Sequence, residues 1–549
     1  MNYWHELSLA DWRAHERKGD RWLPWKQYIR AFKAAEFHYP SDAMSGRGIV
    51  IPAGGHYLPG AWVTVNLLRQ TGCTLPVQIW HLGPDEVPAI YPELMAPMDV
   101  RFVDARAVAQ AHPARRLGGW QLKPYCVILS PFDEVLLLDG DNHPARDPTF
   151  LFDSPELQET GSLFWPDRVR HGPKSSLWDL FDVPYRDELA HETGQMLFDK
   201  RRCWKALQLA MHLNEYPDFH YQHSHGDTAT FRFALHTLGQ PFSIVPHHMV
   251  AVPVNRKVGD IETLKRETAQ RFLIANRAAA QEYIDMPEWE DLAAVFLQMD
   301  PAGDVLFEHR SGGGGGRAAF RLGGENLFVS QFPQEQTCHD LIDELRGHVA
   351  SLPFWDSIET AHGERISHKR RAGMKTLFRL AAERDAKTLI ETGTLRMEGN
   401  WEGDGGMSWF LARYAARAGG RLATIDTDPN ALDVARKTLG EDLARLTDFV
   451  EFDSVAHLQS LSQDIDLLYL DSVDYIAAAP QKSQAHCLNE ALAALPHLHD
   501  KSIICVDDCG FPGGGKGGMA VPYLCENGWK IVHQDYIVVL IRESEGRYA

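Results

Sequence analysis

The sequence predicts an α/β protein built from two separate units, and three observations predict it. The chain has 549 residues, more than one ordinary domain holds, with 44 % hydrophobic and 23 % charged residues, the composition of a folding chain. Short apolar runs alternate with helical patterns in two distinct series. Between the series the pattern weakens, around an unbroken run of five glycines, Gly312 to Gly316.

The bulk charge narrows the function classes. Acidic residues number 74 against 55 Lys and Arg, a net charge of −19, which argues against nucleic-acid binding because a phosphate backbone must be met by clustered cations. The eight cysteines form neither a disulfide framework nor a zinc pattern and read as free thiols of a reducing, cytoplasmic compartment. The N-terminus carries acids and no apolar core, so it does not read as a secretory signal, and no stretch reaches the length of a transmembrane helix. Trp4, Trp12, Trp22 and Trp25 lie among basic residues, which allows a peripheral membrane contact. Helices packing these rings on the domain behind them is the stronger reading.

The first series runs from GIVIPA (48–53) to PFSIVP (241–246). Its most informative stretch is FDEVLLLDGDN, in which the apolar run from Val135 to Leu138 reads as a buried parallel strand ending in Asp139-Gly140-Asp141. Alternation places the two acids on one side, and hard carboxylates so spaced suit Mn²⁺ or Mg²⁺ with positions left open for diphosphate oxygens. HYQHSHGD, with His220, His223 and His225, has no partner cysteine or helical register and is a weak metal signal.

The weak region reads as a mobile loop inside a small β element, its flanks VLFEH and AAFRL alternating apolar and polar. The expected division is therefore 1–300, with an N-terminal helical extension, then a Gly-rich junction or small β element over 301–345 and a second domain over 346–549.

The second series is a helix (GMKTLFRLAAERD), a strand (KTLIETGT), a Gly-rich turn and helix, then strands RLATIDTDP, DFVEFDS, DLLYLDS and SIICVDD, and a closing strand pair, WKIVH and YIVVLI. That order resembles a Rossmann-like class I methyltransferase, and the closing hairpin separates it from a dinucleotide-binding sheet. Ligands of such sheets bind beyond the C-terminal strand ends. Glu391 and Gly393 there would meet the methionine part of S-adenosyl-L-methionine, Asp426 the ribose hydroxyls and Asp453 the adenine edge. Asp426 and Asp428 have capping of the next helix as their plain alternative. Asp471, Asp507 and Asp508 end neighbouring strands, and packed like charges favour a divalent metal such as Mg²⁺ or raised pKa values. The segment from Gly510 to Lys516 fits a phosphate-binding loop except that Gly517 replaces its Ser or Thr, so it reads as a mobile acceptor-side loop.

Five ordered motifs give the first series a resemblance to a known family: GIVIPAGGHYLPGAWVTVNLLRQTGCTLPVQIWHLG, GGWQLKPYCVILSPFDEVLLLDGDN, LFWPD, ETGQMLFDK and HGDTATF. They resemble the α-mannosyltransferases typified by the fungal Golgi α-1,3-mannosyltransferases, a GT-A fold that uses a nucleotide sugar. The resemblance implies Asp139 and Asp141 on the metal, Lys123 near the phosphates, and Glu192, Gln195 and Asp227 around the reacting sugar, Asp227 as the catalytic candidate. His247 and His248 are candidates for a third metal ligand. Ala229 departs from the pattern, which has a second acid there.

The second series resembles metal-dependent O-methyltransferases of the catechol and macrocin types. Where the catechol type has a lysine base this chain has Asp474, the candidate base. Together the two resemblances imply a bifunctional enzyme of polysaccharide biosynthesis: a retaining transferase of mannose from GDP-mannose to a glycan, and an O-methyltransferase acting on a sugar hydroxyl. The alternatives are a methyltransferase for a non-sugar small molecule, or one domain serving only as a glycan-binding module.

Overall fold

The computed structural model describes residues 23–167, 170–224, 226–252, 283–284, 295–310, 319–323 and 332–542, and the chain divides into two compact units, Met1–His348 and Val349–Ala549. Trp4, Trp12, Trp22, His225 and the five-glycine run lie outside the described residues.

The first unit has strands β1 (Arg47–Pro52), β2 (Val77–His81), β3 (Val100–Asp104), β4 (Glu134–Leu138), β5 (Asn142–Pro144), β6 (Ser162–Pro166), β7 (Arg170–His171), β8 (His191–Asp199), β9 (Ser243–Ile244), β10 (Val250–Val252), β11 (Tyr283–Ile284), β12 (Val295–Met299) and β13 (Val305–His309). Its main sheet has the order β3-β2-β1-β4-β8-β6-β9. β1 to β4 run parallel, whereas β8 is antiparallel to both β4 and β6. Every residue of β4 is buried, as a central strand covered on both faces requires.

A second, antiparallel sheet, β10-β12-β13-β5, lies within this unit. The β12–β13 hairpin therefore continues the first unit, because β13 pairs with β5 immediately after the Asp139-Gly140-Asp141 turn. The stretch 301–345 thus contributes β13 to a sheet of the first unit. Helix Glu335–Ser351 also reaches this unit's core, its Leu341 carbonyl accepting the Trp62 indole N–H at 3.0 Å.

Trp25 is buried in the same core, with its ring 5.4 Å from Tyr28 and 4.7 Å from His220. For that tryptophan the packing reading is the one observed. No helix among the described residues is long and apolar enough to cross a membrane.

The second unit has β14 (Thr388–Thr392), β15 (Arg421–Asp426), β16 (Thr447–Glu451), β17 (Ile465–Leu470), β18 (Leu498–Val506), β19 (Trp529–Gln534) and β20 (Val538–Arg542) in the order β16-β15-β14-β17-β18-β20-β19. The first five are parallel and β20 is antiparallel to both its neighbours. The two-unit α/β class is thus borne out. β14 and β17 are paired neighbours at the centre, and the chain proceeds outward in opposite directions from them, the switch point beyond whose C-terminal strand ends ligands of such sheets bind.

Candidate active sites

In the first unit the site is assembled where the two sheets meet. The Asp139 amide donates to the Gly194 carbonyl at 2.7 Å, and the Arg310 amide donates to the Asp141 carbonyl at 2.9 Å. The first bond ties the Asp-Gly-Asp turn to β8; the second ties it to the end of β13. Register pairing of His309 with Asn142 then sets the imidazole beside Asp141, Nε2 to Oδ1 3.5 Å. One ligand atom from each of Asp139, Asp141 and His309 lies within 4.8 Å of the others.

Two features keep His309 in place. A Cβ on Gly194 would come within 2.6 Å of its Cε1, so only glycine leaves the ring room. On the other side of β13, Arg310 is fully buried, with Nε 2.9 Å from Glu308 and a second ion pair to Glu335. A buried, fully paired guanidinium resists rotation of the strand end.

The electrostatics are those of a dense acid cluster around a cation. Lys123, on helix Leu122–Leu129, is buried and its ammonium lies 2.7 Å from Asp139 and 3.6 Å from Asp227. Burial opposes its charge, but these carboxylates outweigh that and raise its pKa. Burial, with the charge of Asp141, pushes Asp139 up to about 6 against the pull of Lys123. Burial acts on Asp141 in the same direction, but the bond and charge of His309 hold it below the usual range. His309 itself rises to about 9, since Glu192 and Asp141 overcome its burial. Among protein atoms, His309 Nδ1 and Asp227 Oδ2 are buried with no hydrogen-bond partner. A buried imidazole nitrogen and carboxylate oxygen without hydrogen-bond partners, beside two carboxylates, offer lone pairs that a divalent cation would take.

These groups face a cavity of about 920 Å³ lined among others by Trp120, Lys123, Asp139, Asp141, Glu192 and Asp227. Gln195 is not among its lining; its amide oxygen accepts from Asn142 at 2.5 Å, so its expected sugar contact is corrected to support of the turn. His247 bonds the Pro301 carbonyl at 3.2 Å, and the third candidate ligand is His309 instead of His247 or His248. His220 packs against Trp25 and Phe219, while His223 bonds Ser176, both as structural side chains.

In the second unit, the first strand's end and the loop after it are held by side-chain hydrogen bonds and a close backbone approach. Glu391 is buried, accepts from Thr424 Oγ1 at 2.6 Å, and is pushed up by burial to about 7. Gly393 has φ +79°, and a Cβ there would lie 2.5 Å from the Asp471 carbonyl, a conformation and a closeness that only glycine allows. Asp426 accepts from the Thr394 amide at 3.2 Å and the Asp428 amide at 2.9 Å. It therefore holds the loop at the strand ends, whereas capping of helix Pro429–Ala444 falls to Asp428. Asp453 caps helix Ser454–Ser460 through the Ala456 amide at 2.9 Å, so its geometry is that of a cap. Asp474 is corrected as a base: its carboxylate is 60 % exposed and paired with Arg396 of the loop at 2.8 Å, which makes it a clamp.

The three strand-end acids do converge, and the chain supplies the cations. Arg370 Nε contacts both Asp507 oxygens at 2.9 and 3.0 Å, and Tyr469 donates to Asp507 at 2.8 Å. Lys516 is ion-paired with Asp471 and, at 3.0 Å, with Asp508. The Tyr536 hydroxyl donates to Asp508 at 2.5 Å. Burial lifts Asp471 well above the carboxylate range, and Lys516 with Tyr536 holds Asp508 below it against burial.

The expected divalent metal at Asp471, Asp507 and Asp508 therefore does not fit this donor set, because two buried side-chain cations, Arg370 and Lys516, already stand among the three carboxylates and offset most of their charge. Among the described residues the group with metal spacing is Asp139, Asp141 and His309. The loop carrying Lys516 is likewise not free: Gln484 donates to the Gly513 and Gly515 carbonyls at 3.2 and 3.0 Å. Its lysine was visible in the sequence only as part of a failed phosphate-loop pattern.

Comparison with known proteins agrees with this division. A mannosyltransferase family model matches residues 46–188 and 176–270, and a methyltransferase-domain model matches 399–509. The chain is 25 % identical over 259 residues to the α-1,2-mannosyltransferase MNN24 of Candida albicans, covering 38 % of this chain and 35 % of the relative. It is 24 % identical over 284 residues to MNN2, an α-1,2-mannosyltransferase of the same organism, covering 42 % and 47 %. The chain thus spans less than half the length of these relatives. Their linkage is α-1,2, which corrects the α-1,3 type the sequence motifs resembled. A Streptococcus mutans methyltransferase, SMU.1697c, solved with SAH, aligns at 14 % identity and TM-score 0.24 over 31 % of this chain and 97 % of its own. The first unit carries a mannosyltransferase-family domain and the second a methyltransferase domain.

Proposed function

We propose that the chain is a bifunctional enzyme of glycan assembly, transferring mannose from GDP-mannose to a polysaccharide acceptor and methylating a sugar hydroxyl with S-adenosyl-L-methionine. The observation that carries the first activity is the meeting of Asp139, Asp141 and His309 with Lys123 and Asp227 on one large cavity.

Asp139, Asp141 and His309 would hold Mn²⁺ or Mg²⁺, and a cation there would offset the charge that develops on the departing nucleoside diphosphate. Lys123 adds a fixed positive charge at the same place. Asp227 presents a carboxylate oxygen to the cavity and is our candidate for contact with the reacting sugar; retention at the anomeric carbon is part of the reading.

For methyl transfer, Glu391, Gly393 and Asp426 would take the amino acid and ribose parts of the cofactor, which supplies an electrophilic methyl group. Seven buried free thiols support a reducing, cytoplasmic setting in which both donors are made.

The test is a nucleotide-sugar hydrolysis screen on the full chain with Mn²⁺. GDP release from GDP-mannose, absent in Asp141→Ala, is expected; turnover of another donor alone would refute the mannose assignment, and turnover of none the transferase reading.

A further inference from the structure

We infer that Lys516 takes the place of a divalent metal in the acid cluster of the second unit, so that methyl transfer there needs no metal ion. The inference rests on the methyltransferase reading and names how that site handles its charge.

The geometry is specific. Asp471 closes β17 and Asp508 follows β18, adjacent parallel strands, so their carboxylates converge on the space where a bridging cation belongs. The Lys516 ammonium occupies that space, paired with Asp471 and 3.0 Å from Asp508, and also 3.4 Å from the Asp471 carbonyl. Its side chain is only 3 % exposed, whereas those of Asp471 and Asp508 keep 23 % and 16 % of their surface open. The cation thus sits beneath the two acids, and the acids present their remaining surface outward.

The backbone is shaped to deliver it. Gly515 has φ +53°, and a Cβ there would lie 1.8 Å from the Asp508 carbonyl, so only glycine lets the loop pass this close. The Lys516 amide then donates to that same carbonyl at 3.2 Å. Asp508 answers with its own left-handed backbone, φ 51°. The third acid, Asp507, is fully engaged by Arg370 and Tyr469 and has no open coordination role.

The reaction balances without a metal. The acceptor hydroxyl oxygen bonds to the methyl carbon as the carbon–sulfur bond breaks. Its electron pair would stay on sulfur, turning the sulfonium into a thioether, and the hydroxyl proton would leave to water. Lys516 is a positioning residue in this step: it holds Asp471 and offsets its charge without touching the acceptor.

Mn²⁺ binding to the full chain, followed by water-proton relaxation, tests this without an acceptor. One Mn²⁺ per chain is expected in the wild type, none in Asp141→Ala, and one again in Asp141→Ala/Lys516→Met, where the freed acids become a site. A Mn²⁺ that remains in Asp141→Ala and disappears in Asp141→Ala/Asp508→Asn would overturn the inference, and that comparison leaves Lys516 intact. SAH binding in the presence of EDTA is measured alongside: unchanged affinity is expected, an EDTA-dependent loss would count against the inference, and no SAH binding under any condition would refute the methyltransferase reading itself.

Discussion

At the scale of single residues, function turns on which carboxylates are saturated by the fold and which are left with open oxygens. Asp507 is saturated by Arg370 and Tyr469; Asp141, Asp227 and Asp471 are not. His309 belongs with the open group, and its position depends on the absent side chain of Gly194. Gly194→Ala should therefore weaken Mn²⁺ binding by about tenfold or more, the usual cost of disturbing a ligand's support, as read by Mn²⁺ titration. Equal affinity would mean that His309 is not a ligand. Glu391 gives a pH prediction. Burial holds its folded pKa near 7, above the ~4.3 of an unfolded glutamate. The folded state thus keeps a proton the unfolded state releases, and the second unit loses stability as pH rises from ~4.5 through ~7. Glu391→Gln should gain on the wild type in thermal midpoint across that window; parallel curves would contradict the assignment. Asp139, Asp141 and Asp426 were legible in the sequence because strand-end acids follow from an apolar run and its stop. His309 was not, because its role arises from the pairing of β13 with β5, in which His143 faces Glu308, 165 positions further along the chain, which no local pattern encodes.

Whole elements decide whether those residues stay in place. The end of β13 is anchored by Arg310 between Glu308 and Glu335, the latter on helix Glu335–Ser351. Glu335→Ala leaves the buried guanidinium with Glu308 but short of one charged partner and should cost the first unit about 1.5–3 kcal/mol, measured by denaturant unfolding; a loss within the range of a surface substitution would show that the network is dispensable. The loop over 393–406 is the matching element of the second unit, clamped by the ion pair of Arg396 and Asp474. An exposed pair is worth about 0.2–1 kcal/mol, so Asp474→Asn should weaken SAH binding by no more than about fivefold and leave methyl transfer intact. Abolished transfer with SAH binding retained would restore Asp474 as the base. Element order in the second unit could be read from apolar periodicity, which directly encodes strand and helix; in the first unit periodicity marked the series and β4 but not the antiparallel second sheet. The loop from Gly510 to Lys516 could not, because its closeness to Asp508 is a property of the folded strand ends.

For the whole molecule, the account is of two units, each with its own donor, on one chain. Part of the acid excess behind the net charge of −19 lies in two clusters that are handled differently. In one, Lys123 shares its carboxylates with open, metal-suited positions; in the other, Arg370 and Lys516 take up the charge. Linking successive steps on one chain raises the local concentration of the intermediate at the second site, which is the advantage we assign to the fusion. The most direct test measures GDP-mannose hydrolysis with Mn²⁺ and SAH affinity side by side in Asp141→Ala and Asp426→Ala. The account predicts that Asp141→Ala loses hydrolysis and keeps wild-type SAH affinity. Asp426→Ala should keep hydrolysis and bind SAH about 100-fold more weakly, the loss of about 3 kcal/mol from charged hydrogen bonds. A variant that loses both properties, or an Asp141→Ala chain that still hydrolyses the donor, would contradict it.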